Sequence, residues 1–202
     1  MRTFILQACR SLLEAAKSGD VNSTKRLVTC SGDNSNGNCV STDGFLFTPL
    51  TYAARNGHVE VVRVLLEAGT NLEKSSASGW TALHQAVKQE RLEVCRLLLD
   101  WGAKVDPLND RRDTPLHLAA RHGYLSVVKL LVERGADLGL KNDIGHTALH
   151  DGARSGHLSV VKLLVEGGAD VRLKNDKGQT ASEVAQWEEK IEVAQWLDSK
   201  IV

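Results

Sequence analysis

The sequence predicts an all-α fold, a stack of paired helices that runs through nearly the whole chain of 202 residues. The first observation is a phrase beginning with threonine that recurs every 33 residues, at Thr48, Thr81, Thr114, Thr147 and Thr180. The second is that apolar residues at helical spacing follow each phrase, and the third is a glycine near the end of most helices. A period this regular indicates supersecondary units that stack on one another.

The first helix of each repeat is predicted from its cap and its small residues, as in NDIGHTALHDGARSGHLSVVKLLVEGGADVRLK, residues 142–174. Thr147 is suited to cap a helix because its hydroxyl accepts a backbone N–H that has no partner within the helix. Gly152 and Ala153 are small, which lets neighbouring repeats approach closely. Gly156 is placed to end this helix, since glycine adopts the left-handed conformation easily.

The second helix of each repeat is predicted from its apolar spacing. Val160, Val161 and Leu164 recur at helical intervals, and Gly168 ends the segment. A single repeat cannot cover its own apolar faces, so its stability comes from stacking on its neighbours. The terminal repeats should therefore be polar on the outside, as the segment 188–190, Glu-Glu-Lys, and the pair Ser23 and Thr24 indicate.

This pattern resembles the ankyrin repeat family. The T-P-L-H-x-A-A phrase stands at Thr114–Ala120, the Gly-His step at Gly156–His157 and the Gly-Ala-Asp step at Gly135–Asp137. The resemblance covers roughly Ser11 to Val202 and implies an all-α solenoid of helix pairs with β-hairpin tips, forming a single domain over 1–202. Its expected parts are an N-terminal cap-like unit and five repeats, at approximately 8–42, 43–75, 76–108, 109–141, 142–174 and 175–202.

Three positions depart from the family pattern. Leu46 and Arg112 replace the turn glycine of the first and third repeats, and Glu90 replaces the glycine of the Gly-His step in the second. A residue with a Cβ atom in the left-handed region costs about 1 kcal/mol. We therefore expect locally altered or weaker turns at these positions.

Composition gives no sign of nucleic-acid or membrane binding. Lys plus Arg total 25 and Asp plus Glu total 25, so the formal net charge is zero and the chain exerts no global attraction on polyanions. The sequence has no apolar run of transmembrane length and no signal-peptide cleavage pattern. We expect a monomer in the cytoplasm, with the nucleus as an alternative location.

The four cysteines, Cys9, Cys30, Cys39 and Cys95, show no metal-ligand spacing. Cys95 replaces an apolar core residue and is expected to be buried. Cys30 and Cys39 flank a Gly/Asn/Ser-rich loop and could pair, although two free thiols in a reducing compartment are the preferred interpretation. No cofactor and no metal ion is predicted.

The histidines are interpreted mainly as structural. His84, His117 and His150 stand at the TPLH position, where the resemblance implies a hydrogen bond between neighbouring repeats. The only catalytic set worth naming is Asp151, His122 and His146, since a carboxylate beside imidazoles can do acid–base chemistry. An exposed groove lacks the water-excluding pocket that such chemistry favours. The plainer alternative is that Asp151 forms a salt bridge with Arg154 or Arg121.

A partner-binding surface is predicted from the register, because the resemblance implies that the tips and first helices line a concave face. Its aromatic residues are expected to act as anchors, and a ladder of cations (Arg55, Lys88, Arg121 and Arg154) is expected to attract an acidic segment. The alternatives are that Phe45 or Phe47 packs beneath the loop 29–44, and that the cations are plain solvated surface. The predicted contact residues are Phe45, Phe47, Tyr52, Arg55, Trp80, Lys88, Arg111, Arg121, His122, Ile144, His146 and Arg154.

The predicted function is a non-catalytic protein–protein interaction module, a scaffold, adaptor or inhibitor. Its partner is expected to be a protein or peptide, acidic or phosphorylated, with an apolar anchor. Nucleic acid fits less well because Asp110, Asp143 and Asp176 at the tips would repel phosphates. The alternative is a regulatory subunit or effector that acts through a partner's activity. Charge reversal at Arg121 and Arg154 is expected to leave the helices intact.

Overall fold

The computed structural model describes residues 2–30, 39–42, 44 and 46–200, and within the first of these ranges it describes the side chains of residues 7–28. Over this described part the chain is helical with no β-strand, so the predicted all-α class is confirmed. The chain divides into two compact halves, Met1–Lys104 (the N-terminal half) and Val105–Val202 (the C-terminal half). A single domain over 1–202 stays a prediction.

The N-terminal half consists of helix pairs whose first helices pack in one row and whose second helices pack in another. Its helices are α1 (Arg2–Ser18), α2 (Val21–Cys30), α3 (Pro49–Asn56), α4 (Val59–Glu67), α5 (Ala82–Lys88) and α6 (Leu92–Asp100). The first row, α1, α3 and α5, packs closely because its contact positions are small, such as the fully buried Ala53 and Ala54. The second row supplies the larger core side chains, including Leu65 and Leu98.

The C-terminal half repeats this arrangement. Its helices are α7 (Pro115–His122), α8 (Leu125–Glu133), α9 (Ala148–Ser155), α10 (Leu158–Glu166), α11 (Ala181–Trp187) and α12 (Ile191–Asp198). One row contains α7, α9 and α11, and the other contains α8, α10 and α12. Leu131 and Leu164 are fully buried between the rows, so each repeat completes its core only against a neighbouring repeat.

The histidine of the TPLH phrase both caps its own helix and reaches the next repeat. The backbone N–H of Thr114 donates to His117 Nδ1 at 3.2 Å, which leaves the proton on Nε2. Nε2 then donates to the backbone carbonyl of His146 at 2.9 Å. His150 makes the same two bonds with Thr147 and the carbonyl of Gln179. The structural interpretation of these two histidines is confirmed.

The Gly-His step also has a packing reason. Gly123 ends α7 with φ of +77°, and a Cβ atom there would lie 2.7 Å from the His157 ring of the next repeat. Non-glycine residues nevertheless keep the left-handed conformation at Leu46, Glu90, Arg112 and Glu189, with φ between 53° and 59°. Replacing the family's glycines at these positions therefore does not change the turn conformation. It leaves backbone strain at each replaced residue.

The predicted β-hairpin tips are tight turns, with no strand in the described part of the chain. Each turn in the C-terminal half is closed by two backbone bonds, as from Asn142 N to the His146 carbonyl at 2.9 Å and from Gly145 N to the Asn142 carbonyl at 3.1 Å. The Asn142 side-chain oxygen accepts the backbone N–H groups of Ile144 and His146, which holds the turn without a ladder of strand hydrogen bonds. Successive tips are joined where Asp143 N donates to the Arg111 carbonyl at 3.0 Å.

Cys95 is buried as predicted, and this burial raises the pKa of its thiol to about 12. The side chain of Cys30 lies outside the described residues, and Cys39 is a free thiol, in line with the preferred interpretation. None of the described helices is long and apolar enough to cross a membrane.

Candidate functional site

The residue before the capping threonine lies beside the cation in the last turn of the first helix of the same repeat. In the first repeat the guanidinium of Arg55 lies over the Phe47 ring, 5.9 Å from its centroid. In the second, the Lys88 ammonium lies 4.7 Å from the Trp80 centroid, a distance typical of a cation–π contact. Each of these predicted contact residues is therefore already paired within its own repeat.

The aromatic residues of the N-terminal half are less exposed than an anchor cluster requires. Phe47 is 9% exposed, its ring centroid is 5.0 Å from that of Tyr52, and its backbone N–H donates to Ser41 Oγ at 3.0 Å. The prediction of Phe47 as an exposed anchor is wrong, because the preceding segment holds it inside. Trp80 is half-buried, and the predicted contact residue Phe45 lies outside the described residues.

The C-terminal half places Arg121 between two buried carboxylates. Its guanidinium donates to both oxygens of Asp113, at 3.1 and 2.8 Å, and to Asp151 Oδ2 at 2.7 Å. The side chain of Arg121 is 32% exposed, whereas both carboxylates are almost fully buried. The salt-bridge alternative for Asp151 is confirmed with Arg121 as its partner, so this cation of the ladder is held within the protein and is not plain solvated surface.

Asp151 also holds His146 in one tautomer. Asn175 Oδ1 accepts two backbone N–H groups, so its Nδ2 is a donor, and it lies 3.2 Å from His146 Nε2. Nε2 is therefore the acceptor, and Nδ1 carries the proton that is donated to Asp151 Oδ1 at 3.1 Å. The Asn142 amide completes the network by donating to Asp113 at 3.0 Å.

These contacts determine the charge states in the network. Burial raises the pKa of Asp151, but the hydrogen bond from His146 and the charge of Arg121 outweigh it, so that this pKa lies below its usual value. Burial acts against the charged form of Arg121 as well, yet Asp113 and Asp151 raise the guanidinium pKa. The network thus contains an ionised arginine and an ionised aspartate in a largely buried place.

A groove of about 280 Å³ opens beside this network in the C-terminal half. Its most prominent wall is Trp187 at the end of α11, which is 80% exposed, and Ile144 is 46% exposed. Arg154 lies in the groove with its Nε 3.1 Å from Glu188 Oε1, and Lys177 is exposed. The residues that line the groove are Ile144, His146, Arg154, Asn175, Lys177, Gln179, Val184, Trp187 and Glu188.

Family comparison agrees with this geometry. A family model described as ankyrin repeats in three copies matches residues 12–109 and 116–200. The chain belongs to the ankyrin-repeat family. It is also 39% identical over 77 residues to the E3 ubiquitin-protein ligase XBAT33 of Arabidopsis thaliana, a match that covers 37% of this chain and 14% of that relative. The aligned segment is thus a small part of the relative's length.

Ankyrin repeats bind protein partners, and the family is typically non-catalytic. Of the predicted contact residues, the structure brings Ile144, His146 and Arg154 together in the groove. The exposed His122 stacks instead on Tyr124, with ring centroids 5.4 Å apart, and Arg111 is exposed on its tip.

The predicted contact residues do not include Trp187, which the structure of this ankyrin array places in the groove. Trp187 stands at the position that Arg154 occupies one repeat earlier, in the register of the cation ladder. The sequence shows that this residue is aromatic, but it does not show that the side chain is exposed. Among the described side chains, no three or more His, Cys, Asp and Glu residues are grouped so that they could hold a metal ion.

A larger cavity of about 1170 Å³ lies along α1 and α2 in the N-terminal half. Its lining carries equal numbers of positive and negative side chains. Arg10 and Arg26 are positive, and Glu14 and Asp20 are negative. Asp20 accepts the Ser23 backbone N–H at 2.9 Å and so serves as the cap of α2. The chemistry of this cavity favours no particular ligand.

Proposed function

We propose that this protein is a non-catalytic interaction module that binds a partner protein or peptide in the groove of its C-terminal half. The observation that carries the proposal is the exposed Trp187 beside Ile144 and two cations. Such a module acts as a scaffold, adaptor or inhibitor of its partner. The proposed location is the cytoplasm, and the proposed state is a monomer.

Trp187 supplies the apolar part of the contact. A large aromatic side chain buries on the order of 200 Å² at an interface, and at roughly 25 cal/mol per Å² the burial of most of this area contributes about 3–4 kcal/mol. Tryptophan is also among the residues most often found to dominate binding energy. An exposed indole at a groove therefore supports a partner with an apolar side chain.

The cations of the groove support an acidic or phosphorylated group in the same partner. Arg154 and Glu188 form a half-exposed pair, and exposed pairs of this kind contribute about 0–1 kcal/mol. An incoming carboxylate or phosphate can thus take the place of Glu188 at little cost. Lys177 adds a second positive charge at the rim, where charge acts mainly on the association rate.

The buried network supports a structural role over an enzymatic one. A histidine that acts as a general base needs a free lone pair within reach of a substrate. In His146 that lone pair, on Nε2, accepts the hydrogen bond from Asn175. The set Asp151, His122 and His146 is therefore the weaker proposal.

A regulatory subunit or effector is the second candidate. The aligned relative XBAT33 is named as an E3 ubiquitin-protein ligase. This name supports a role in which the repeats bind a partner and a different segment or protein carries the activity. This candidate makes the same use of the groove, and the nature of the captured partner separates it from a simple scaffold.

The test is capture of a partner from native cells, followed by affinity measurement with matched tryptophan variants. Trp187→Ala should weaken binding about thirtyfold or more, which corresponds to a loss of 2 kcal/mol at an interface centre. The control is Trp101→Ala, because Trp101 is 43% exposed at the end of α6 and does not line the groove. Trp80→Ala examines the N-terminal half.

Each outcome of these measurements has one interpretation. Loss of affinity in Trp187→Ala alone supports the groove. Loss in Trp80→Ala with full affinity in Trp187→Ala places the contact on the N-terminal half and overturns the proposed site. Full affinity in both, with loss in Trp101→Ala, contradicts binding at the tips and first helices altogether.

A further inference from the structure

Two cysteines distant in sequence lie against each other in the N-terminal half. Cys39 Sγ lies 3.7 Å from the backbone carbonyl oxygen of Cys9 on α1, across a separation of 30 residues. The proximity of Cys9 also contributes to raising the pKa of the Cys39 thiol. Both thiols are free, and both residues are half-buried.

We propose that Cys9 and Cys39 are a redox modification site that forms an intramolecular disulfide with a low-molecular-weight disulfide, such as oxidised glutathione, as oxidant. A disulfide requires two sulfur atoms on neighbouring side chains, and this contact places the Cys39 sulfur against the residue that carries the other sulfur. The inference is independent of the proposed binding function, because it concerns another half of the chain and needs no partner.

The reaction balances through two thiol–disulfide exchanges. The Cys9 thiolate attacks one sulfur of the oxidant, whose sulfur–sulfur bond breaks and releases one small thiolate. Cys39 then loses its proton and attacks the Cys9 sulfur of the mixed disulfide, which releases the second small thiolate. Two protein thiols are oxidised, one small disulfide is reduced to two thiols, and the two protons pass to the released thiolates.

The surroundings of the two thiols assign their order. Burial raises the pKa of the Cys39 thiol, and its contact with Cys9 raises it further, while the charge of Lys74 opposes both effects weakly. The thiolate is the attacking species in exchange reactions. The proposal therefore gives the first attack to Cys9 and the resolving step to Cys39, the thiol whose ionisation is disfavoured.

Such a link fastens the segment before the first repeat to α1. Ser41, close after Cys39, donates its backbone N–H to the Phe47 carbonyl at 2.8 Å and accepts the Phe47 N–H on Oγ at 3.0 Å. The disulfide thus connects α1 covalently to the segment around Ser41 that keeps Phe47 buried. Closing a loop of this length constrains the unfolded chain, and the melting temperature should rise by about 5 °C or more.

The experiment maps the link in the full chain. The reduced protein is incubated with oxidised glutathione, remaining thiols are blocked with N-ethylmaleimide, and the chain is digested with trypsin and a protease that cleaves before aspartate. Cleavage at Asp33 separates Cys30 from Cys39. The expected product is a peptide pair, Thr3–Arg10 joined to Asp33–Thr42, in monomeric protein.

Variants and unfolded protein supply the controls. Cys30→Ser should still form the link, and Cys39→Ser should stop at a glutathione adduct on Cys9. In guanidinium the pairings of Cys30 should also appear, which shows that the native fold selects Cys9 and Cys39. Predominant Cys30–Cys39 or Cys9–Cys30 peptides in native protein, an adduct that never resolves, or links only between chains would each overturn the proposal. An oxidised chain that melts at a lower temperature would contradict it too.

Discussion

Replacing Arg121 with methionine removes the cation that lies between Asp113 and Asp151. The three contacts of the guanidinium are 2.7 to 3.1 Å long, and both carboxylates are almost fully buried. Methionine keeps much of the aliphatic volume of arginine and makes no ionic contact. The variant therefore tests the charge of this side chain rather than its packing.

The expected loss follows from what remains around the two carboxylates. Removing one partner of a buried ion pair costs about 3–5 kcal/mol, because the other charge stays buried without compensation. Arg121 is 32% exposed, and His146 and Asn142 still donate to Asp151 and Asp113. We therefore expect a loss of about 3 kcal/mol in the free energy of unfolding, the lower end of that range. In a chain of this size it lowers the melting temperature by about 6–12 °C.

The assay is urea unfolding followed by circular dichroism at neutral pH, with Arg154→Met as the matched control. Arg154 forms a half-exposed pair with Glu188, so its replacement should cost about 0–1 kcal/mol. Adding Asp151→Leu to Arg121→Met should recover part of the loss, since the third repeat has Leu118 at this position and the stranded carboxylate is removed. Equal losses in Arg121→Met and Arg154→Met would refute the reasoning, and would restore the expectation that Arg121 can be reversed harmlessly.

Two further predictions concern pH and backbone strain. Burial lowers the pKa of His150 to about 4 from 6.5. The contribution of neutral His150 to the free energy of unfolding is therefore complete above pH 6.5. About 3 kcal/mol of it is lost as the pH falls towards 4, because the unfolded chain binds the proton first. His150→Thr, which copies Thr51 of the first repeat, should flatten this part of the profile of unfolding free energy against pH. An unchanged slope would show that folding does not lower the pKa of His150. Arg112→Gly should stabilise the third repeat by about 0.5–1 kcal/mol, because Arg112 has φ of 57°. Its control, Asp110→Gly in the same tip, should destabilise, and a loss in both variants would show that position 112 carries no strain.

The sequence was sufficient for the features that depend on a single repeat. The threonine caps, the helix-ending glycines and the buried leucines each follow from a local pattern, and the period places them in register. At Glu90 and Arg112 the sequence predicted altered or weaker turns, whereas the structure keeps the left-handed conformation of the glycines that they replace. The tips were predicted less well, because the asparagine side chains that close them, such as Asn142, take over bonds that a strand pair would otherwise supply.

The candidate site depended on contacts between repeats, which a local pattern does not reveal. Arg121 looks like one more cation in a ladder until Asp151, from the following repeat, is found 2.7 Å away. Phe47 resembles an exposed tip residue until the segment at Ser41 covers it. Trp187 shows the opposite error, since its place at the end of α11 leaves it uncovered within the C-terminal half.

The same position of four successive repeats carries a cation, and each cation has a different partner in the structure. These partners determine which of the cations can bind a ligand. Arg55 and Lys88 lie over aromatic rings of their own repeats. Arg121 is not available to a ligand, because turning outward would leave two buried carboxylates without a counter-charge, at about 3 kcal/mol. Arg154 can exchange Glu188 for an acidic ligand group at no more than about 1 kcal/mol. Among these cations, recognition of acidic groups should concentrate at Arg154, the one that lies in the groove beside Trp187.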